Sequence, residues 1–223
     1  MKRMIFEFDV FRLRDVIVAA IGLLLCTPVC ALVAAAVRLD SRGPVFFRQV
    51  RVGRHGQLFR IHKFRTMRVS NDGLAVSTSM DPRITRAGRI LRLSKLDELP
   101  QLINVLRGDM SIVGPRPEVP AYVDHWPADI RPIILSVRPG ITDPASIAFR
   151  HEAGLLAGSS DPERTYLDEV LPLKAAAYAG YVRERSFWGD IRVILRTVIA
   201  VLTPPSSSGK NPSADPRNGI AIA

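Results

Sequence analysis

Two adjacent carboxylates, Asp97 and Glu98, stand out in the stretch SKLDELPQL because the segment before it, from Pro82 to Leu96, carries only positive charges. An ionised carboxylate held in position can attack phosphorus and form an acyl phosphate. A second carboxylate beside it can bind Mg²⁺ next to the same phosphate. Acids are also common at helix N-termini, which they stabilise, and this motif taken alone favours that simpler interpretation.

The spacing after the two acids predicts a helix. Its buried face, with i, i+3, i+4, i+7 periodicity, comprises Leu99, Leu102, Ile103 and Leu106. Gly108 is a natural stop. Because Pro100 is acceptable only in a first turn, the helix is expected to begin at about Asp97 or Glu98. Asp97 would then feel the positive end of the helix dipole and the nearby cations, and both effects favour its ionised form.

Further cations lie on stiff or extended backbone. Arg116 stands between two prolines in GPRP, where a pre-ordered guanidinium suits bidentate phosphate recognition. Lys63 and Arg65 belong to the extended run KFRTM, and Arg138 opens the Pro- and Gly-rich loop VRPGITDPAS. Each cation has a plain alternative as a solvated charge on a turn or at a strand edge. Together with the two acids, they predict a cradle for a pyrophosphate.

The composition limits the kinds of site that the chain can build. Its 223 residues allow one compact domain with an appendage. The net charge of +10 predicts an anionic partner: nucleic acid, an anionic membrane surface or a phosphorylated substrate. The sequence contains no Walker P-loop, G-x-G-x-x-G, H-E-x-x-H or D-x-D pattern, and its four histidines lack ligand spacing. Both cysteines lie in one apolar segment, which excludes a disulfide framework elsewhere in the chain.

That apolar segment, Val16–Val37, is long enough to cross a bilayer as a helix. A signal peptide is disfavoured because the run is too long and because Glu7, Asp9 and Asp15 interrupt the preceding positive region. Pro28 near its middle favours a kink. Cations flank both ends, and the positive-inside tendency favours keeping both ends in the cytoplasm. We therefore expect a re-entrant helix that enters and leaves by the same face, in preference to a spanning helix.

The remaining pattern predicts a mostly helical domain with one β-hairpin. Two extended runs surround Gly53 and Gly56 within residues 43–67. The segments expected to be helical are 83–96, 163–185 with a disturbance at Pro172, and an amphipathic stretch that Ser186 caps and that ends near Leu202. This last helix can pack on the core or lie at a membrane interface.

We therefore expect an α+β fold, mostly helical, with an N-terminal re-entrant membrane helix joined to a compact cytosolic catalytic domain. That domain should contain a small β-hairpin and interfacial amphipathic helices. The expected boundaries are a membrane-inserted helix over 1–40, a catalytic domain over 41–202 and a disordered tail over 203–223, which is rich in Pro, Ser and Gly.

Several motifs together resemble a known family. They are RLRD, GPVFFRQVRVG, FRIHKFRTM, ITRAGRILRLSKLDELPQLINVLRGDMSIVGPRPE, VRPGIT and RSFWGDIRVILRT. They run through most of residues 12–197, and the block over 84–118 is the most specific. The chain is similar to the small membrane-bound phosphoglycosyl transferases of the bacterial sugar transferase family, in their minimal form.

The resemblance implies transfer of a sugar-1-phosphate from a UDP-sugar to polyprenyl (undecaprenyl) phosphate with release of UMP. It further implies a location at the bacterial inner membrane, on the cytoplasmic face, and a first membrane step in making a surface polysaccharide or glycoconjugate. Asp97 matches the family nucleophile, and Glu98 matches the companion acid associated with Mg²⁺. Arg116 matches the phosphate-binding arginine, and Lys63 falls on a basic position of the family.

Two segments compare differently with the family pattern. Thr27-Pro28 occupies the place of the Ser-Pro pair at which the family's membrane helix bends, and the hydroxyl is kept. Asp143 and Pro144, by contrast, replace the Gly-Trp of RPGITGWAQ. Contacts made by that loop in the family are therefore not carried over to this chain.

Two rival functions remain at the level of sequence. One is a basic membrane-anchored protein that binds anionic lipid or nucleic acid, and the other is a lipid-phosphate hydrolase that uses water as acceptor. Nucleic acid is not expected as a partner because the aromatic content, 7%, is low for base stacking. The oligomeric state is left open, a dimer included.

Overall fold

The computed structural model describes residues 2–68, 81–149, 156 and 158–203. The helices in these ranges are α1 (Lys2–Asp40), α2 (Arg86–Ser94), α3 (Gln101–Arg107), α4 (Pro120–Val123), α5 (Arg131–Ile134), α6 (Pro144–Ala148), α7 (Pro162–Thr165), α8 (Leu171–Glu184) and α9 (Phe187–Leu202). The strands are β1 (Phe46–Val52), β2 (Leu58–Phe64), β3 (Ser111–Val113) and β4 (Gly140–Thr142). A mostly helical fold with small sheets and a long apolar N-terminal helix is thereby confirmed.

Helix α1 is unbroken from Lys2 to Asp40, although Pro28 lies inside it. Proline has no N–H to donate to the preceding turn. The neighbouring Thr27 Oγ1 donates to the Leu23 carbonyl at 2.6 Å. Such hydroxyl bonds supply carbonyls near a proline with partners and often accompany a bend. The helix continues through Thr27-Pro28, and the expected break there stays a prediction.

One face of α1 packs on the domain, and the opposite face is apolar and exposed. The packed face includes Ala19, Val33 and Val37, which are buried. The exposed apolar residues of α1 are Leu13, Ile17, Val18, Ile21, Leu24, Leu25, Val29, Leu32 and Leu39. By length and composition, the segment Val10–Asp40 could cross a membrane. The packing shows, however, that α1 is also part of the folded domain.

Both ends of α1 contact that domain. Near its N-terminal end, Arg12 Nη1 donates to the Val105 carbonyl at 2.6 Å, in the last turn of α3, where carbonyls lack helical partners. At the other end, Asp40 Oδ2 accepts from the Ala87 N–H at 2.9 Å, in the first turn of α2. Both contacts anchor α1 to the same domain, and the expected re-entrant topology stays a prediction.

Strands β1 and β2 form the predicted antiparallel hairpin. Val52 pairs with Leu58 next to the turn, and Gly56 within the turn has a φ of 78°, which favours glycine. Lys63 pairs with Phe47 at the far end of the hairpin. The hairpin therefore carries Lys63 away from its turn and towards the body of the domain.

A second, parallel sheet of β3 and β4 was not predicted, because VRPGITDPAS reads as a loop. Ser111 pairs with Gly140. The two chains approach so closely that a Cβ on Gly140 would lie 2.1 Å from the Gly114 nitrogen. Only glycines fit at this crossing. The crossing holds the GPRP loop against the VRPGIT loop, and in this way it sets the position of Arg116.

The C-terminal helices follow the sequence prediction closely. The chain is helical over 162–184, and the expected disturbance is a π-helical turn over Tyr166–Val170, just before Pro172. The N-cap of α9 is Ser186, whose Oγ accepts from the Gly189 N–H at 3.1 Å. The helix predicted over 83–96 is shorter, Arg86–Ser94.

A buried polar network joins motifs from the two ends of the chain. Arg14 Nη1 donates to Asp190 Oδ2 at 2.9 Å, and Arg14 also pairs with Asp15. Asp15 Oδ2 in turn accepts from Ser111 Oγ at 2.5 Å. The RLRD and FWGD motifs therefore tie α1, β3 and α9 together.

Helix α1 contributes to two of the three hydrophobic clusters. Ala19 packs with Val105 of α3, and Val37 packs with Phe64 of β2. The third cluster lies around Tyr178 of α8. The predicted boundaries at residues 40 and 202 stay predictions, and residues 204–223, expected to be a disordered tail, lie outside the described part of the chain.

Candidate active site

Asp97 and Glu98 lie on a 3₁₀ turn that precedes α3. Helix α2 ends at Lys95, whose φ of 58° is left-handed, and α3 begins only at Gln101. The predicted helix start at the acids is therefore wrong. The physical reason is that Pro100 occupies the N-cap position of α3, not a place within its first turn. The acids consequently belong to the connection between two helices.

Glu98 is buried and binds two cations that come from distant parts of the chain. Lys63 Nζ on β2 lies 2.8 Å from Glu98 Oε1. Arg116 on the GPRP loop donates through Nη2 to Oε1 at 2.6 Å and through Nη1 to Oε2 at 3.3 Å. Burial alone would raise the pKa of Glu98, but Arg116 and Lys63 outweigh it and hold that pKa well below the usual value. Glu98 is therefore an anion that fixes both cations in place.

Asp97 is in a different electrostatic state. Its side chain is 7% exposed, and its Oδ1 is buried with no hydrogen-bond partner among the described residues. Burial, and then the charge of Glu98, raise the pKa of Asp97, while Lys63, Lys95 and Arg116 act against that rise. The prediction that its surroundings favour the ionised form is therefore wrong in direction. The reason is that Asp97 is desolvated and does not sit on a helix N-terminus.

A cavity of about 320 Å³ opens beside these groups. Glu98 and Arg116 line it, together with two cations that the sequence analysis did not single out, Arg92 and Lys95. The cations that precede the acids therefore fall into two groups. Arg86 and Arg89 are exposed, while the last two, Arg92 and Lys95, line the cavity. Their position immediately before the acids is the signal that could have identified them.

Gln101 is a further side chain that sequence reasoning missed. It is only 2% exposed, and its Nε2 is buried with no hydrogen-bond partner among the described residues. It lies one helical turn beyond Asp97, whose Oδ1 is also unpartnered. A buried donor and a buried acceptor in consecutive turns are the kind of groups that a bound ligand satisfies.

The structure places two of the predicted phosphate-binding cations elsewhere. Arg65 donates to the carbonyls of Ser41 and Arg42, at 2.7 and 2.5 Å, beyond the end of α1. Arg138 Nε donates to the Gly108 carbonyl at 2.8 Å, at the opposite end of α3 from the acids. These contacts are with backbone carbonyls, and a phosphate-binding role for Arg65 or Arg138 stays a prediction, whereas Lys63 and Arg116 do meet at the acids.

The predicted Mg²⁺ requires a test against the donor groups present. Among the described residues there is no group of three or more His, Cys, Asp or Glu side chains that could hold a metal. Glu98, the predicted ligand, already accepts from Lys63 and Arg116 on the two oxygens, and two cations repel a third. Asp97 Oδ1 has no such partner. The residues thus fit an ion held by Asp97 that takes its other ligands from substrate phosphates and water.

Comparison with known proteins gives the family. The model of the family described as "Bacterial sugar transferase" matches residues 7–204. The chain belongs to the bacterial sugar transferase family. The match covers the hairpin, the acids on their 3₁₀ turn, the GPRP loop and α9, so all the elements that form the site lie within it.

Curated relatives in this family carry related names. The chain is 42% identical over 196 residues to the UDP-glucose:undecaprenyl-phosphate glucose-1-phosphate transferase of Caulobacter vibrioides, covering 86% of this chain and 69% of that protein. It is 41% identical to the protein of the same name from Escherichia coli, over 84% of this chain and 39% of the relative. It is 34% identical to a UDP-N-acetylgalactosamine-undecaprenyl-phosphate N-acetylgalactosaminephosphotransferase of Aeromonas hydrophila, over 85% and 43%.

Proposed function

We propose that this sugar transferase is a phosphoglycosyl transferase that moves a sugar-1-phosphate from a UDP-sugar to undecaprenyl phosphate and releases UMP. The observation that carries the proposal is Asp97 Oδ1, a buried carboxylate oxygen that has no hydrogen-bond partner in the part of the chain that the structure describes, next to cations that Glu98 holds in place. The names of the relatives support the same substrates. UDP-glucose is the first donor to test, because the two relatives with the higher identities are named for it.

The reaction proceeds in two displacements at one phosphorus atom. A carboxylate oxygen of Asp97 attacks the β-phosphorus of the UDP-sugar, the bond from that phosphorus to the bridging oxygen breaks, and UMP leaves with the electron pair. A phosphate oxygen of undecaprenyl phosphate then attacks the same phosphorus. The bond to Asp97 breaks, which releases the lipid-linked product and restores the carboxylate.

The other residues act through position and charge. Arg116 presents a planar fork of donors, and Lys63 presents an ammonium, where negative charge develops on the phosphate oxygens. Glu98 holds both before substrate arrives, so little reorganisation is needed during the reaction. A divalent metal bound at Asp97 would neutralise further phosphate charge and polarise the phosphorus.

The raised pKa of Asp97 is consistent with this role. A desolvated carboxylate beside Glu98 is less stable as an anion, and it is correspondingly more reactive towards an incoming phosphorus. The positive charges of the diphosphate cradle ensure that the substrate, once bound, lies next to that oxygen. Burial therefore raises the free-energy cost of the Asp97 anion in the free enzyme and increases the reactivity of that anion towards the bound substrate.

We further propose that α1 is a re-entrant membrane helix at the cytoplasmic face of the inner membrane. Its two ends contact the same domain through Arg12 and Asp40, and its outward face is apolar. Single cysteines are placed at Leu13 or Leu39 in a chain that lacks Cys26 and Cys30. Both should react with a membrane-impermeant reagent added to the same side of the membrane. Reaction from opposite sides would show a spanning helix.

The enzymatic proposal is tested by UMP release. Purified protein with undecaprenyl phosphate is offered a panel of UDP-sugars, beside the variant Asp97→Asn, and the lipid product is identified. We expect UMP and a lipid-linked sugar diphosphate with the parent and neither with the variant. Full activity of the variant would refute the covalent mechanism, and no UMP with any donor would favour a binding protein. Release of free inorganic phosphate from the lipid would instead indicate a lipid-phosphate hydrolase.

A further inference from the structure

We infer that the cavity between α2 and α9 holds the first isoprene units of the acceptor lipid, with its phosphate at the cationic end beside Glu98. This inference rests on the proposed function, because it assigns a place to one of the two substrates. The names of the relatives identify an acceptor but say nothing about where it binds.

The cavity is divided into a charged end and an apolar wall. The charged end is formed by Arg92, Lys95, Glu98 and Arg116. The apolar wall comprises Leu93, Leu99, Leu102, Ile141, Ile147, Ala200 and Val201. A polyprenyl phosphate has the same division, a dianionic head on a pure hydrocarbon chain. The cavity is also lined by four hydroxyl side chains, and each is already hydrogen-bonded within the protein: Thr142, Ser146, Thr197 and Thr203. A nucleotide-sugar fits this lining less well, because its nucleoside and sugar need available hydrogen-bonding groups along their length.

The apolar wall continues onto the outer surface of the protein. Leu93 of α2 is 72% exposed and Val201 of α9 is 42% exposed, and both also line the cavity. Beyond them, the same two helices expose Ile90, Leu195, Val198 and Ile199. An apolar surface of this kind, next to an apolar cavity, fits a lipid that enters from a membrane.

The size of the cavity defines how much of the lipid it takes. At about 320 Å³ it is at the lower end of ligand cavities, which hold about 300–1,000 Å³. It is therefore large enough for the phosphate and the first isoprene units but too small for a long polyprenyl chain. The rest of the chain would extend over the apolar faces of α2 and α9 into the membrane.

The position of the charged end agrees with the second displacement. Arg116 binds Glu98 and also lines the cavity, so the cavity opens directly on the residues around Asp97. A phosphate held by Arg92 and Lys95 would approach the phosphosugar from the cavity side. The donor would then occupy the other side of the acids, where Lys63 lies.

The inference is tested by filling the apolar wall. Ala200→Trp places an indole inside the cavity, and Arg192→Trp places the same side chain at an exposed position of the same helix, outside both the cavity wall and the apolar surface. KM is measured for undecaprenyl phosphate and for the UDP-sugar, with farnesyl phosphate as a short, soluble acceptor. We expect Ala200→Trp to raise the KM for both acceptors about tenfold or more and to change the donor KM by less than about twofold. Arg192→Trp should change neither by more than about twofold.

The outcomes separate this inference from the proposed function. If the parent releases no UMP with any donor, the proposed function fails and the inference fails with it. If the parent is active but Ala200→Trp raises the donor KM instead, the cavity belongs to the nucleotide-sugar. If neither KM changes, the lipid binds elsewhere. Should thermal unfolding show that Ala200→Trp is not folded, Ala200→Leu is used in its place, with the same expectations at a smaller magnitude and Arg192→Leu as control.

Discussion

Replacing Asp97 with asparagine is expected to stabilise the protein while it abolishes sugar-phosphate transfer. The carboxylate is buried, one of its oxygens has no hydrogen-bond partner among the described residues, and the negative Glu98 is its neighbour. In the free protein this arrangement is unfavourable, and the proposed reaction gives a reason for it to persist. The variant Asp97→Asn keeps the shape of the side chain and removes the charge.

The magnitude follows from the contacts of the side chain. A buried polar atom without a partner costs about 1–3 kcal/mol. The amide of asparagine remains buried, and the charge it replaces was attracted to Lys63 and Arg116. We therefore expect the free energy of unfolding of the variant to rise by only the lower part of that range. A gain of about 1 kcal/mol corresponds to a rise of about 2–4 °C in Tm for a protein of this size.

The pH dependence of the stability difference between the two proteins shows whether the charge of Asp97 is its cause. The folded-state pKa of Asp97 is raised above 3.8, so the cost of its charge is complete above that raised pKa and absent below about pH 3.8. The advantage of Asp97→Asn should therefore be largest at neutral pH and disappear on acidification. Glu98 has a lowered pKa, and its contribution, present above about pH 4.5 and lost below it, is common to both proteins.

The assay is thermal unfolding of parent and variant, purified in the same detergent, from about pH 3 to pH 8, a range that extends below the ordinary pKa of an aspartate. Glu98→Gln is the matched control, because it removes the adjacent carboxylate and leaves the half-buried Lys63 and Arg116 without their anion. That variant should lose about 1–3 kcal/mol. A Tm for Asp97→Asn below that of the parent at pH 7, or a difference that does not change with pH, would refute the reasoning.

Three further predictions concern residues around the site. Arg116→Lys keeps the charge but loses the bidentate fork, so UMP release should fall about 100-fold with Tm nearly unchanged; a loss below threefold would contradict this. Gln101→Leu removes a buried amide whose Nε2 has no hydrogen-bond partner among the described residues, so denaturant unfolding should show an unchanged or slightly higher free energy of unfolding, and a loss above about 1 kcal/mol would contradict this. Gly140→Ala would place a Cβ 2.1 Å from the Gly114 nitrogen, so it should lower stability by about 3 kcal/mol or more. Gly56→Ala, in open space with φ of 78°, is its control and should cost about 1 kcal/mol.

The sequence predicted the elements whose signals are local. The hairpin follows from glycines between β-prone residues. The end of α3 follows from Gly108, which adopts a left-handed φ of 90°. The N-cap of α9 follows from Ser186. The disturbance before Pro172 is likewise visible as a π-helical turn. In each case the residue that determines the local backbone conformation lies within a few positions of the turn, helix end or cap that it determines.

The long-range contacts were not accessible in the same way. The parallel pairing of β3 with β4 depends on two glycines, Gly114 and Gly140, that approach only after folding. Arg65 and Arg138 had the same residue type and the same stiff surroundings as Arg116, yet their partners are carbonyls at the ends of helices. Nothing near a cation in the sequence tells whether the group opposite will be a substrate phosphate or a backbone carbonyl.

By itself, the sequence indicated the family and the candidate reacting pair, Asp97 and Glu98, because the motifs that carry the resemblance are contiguous. The tertiary structure decided the state of that pair. It buries both acids but brings Arg116 and Lys63 to Glu98 alone, which lowers the pKa of one carboxyl and leaves the other raised. Two adjacent acids differ in this way because charge interactions depend on distances that only the folded chain defines.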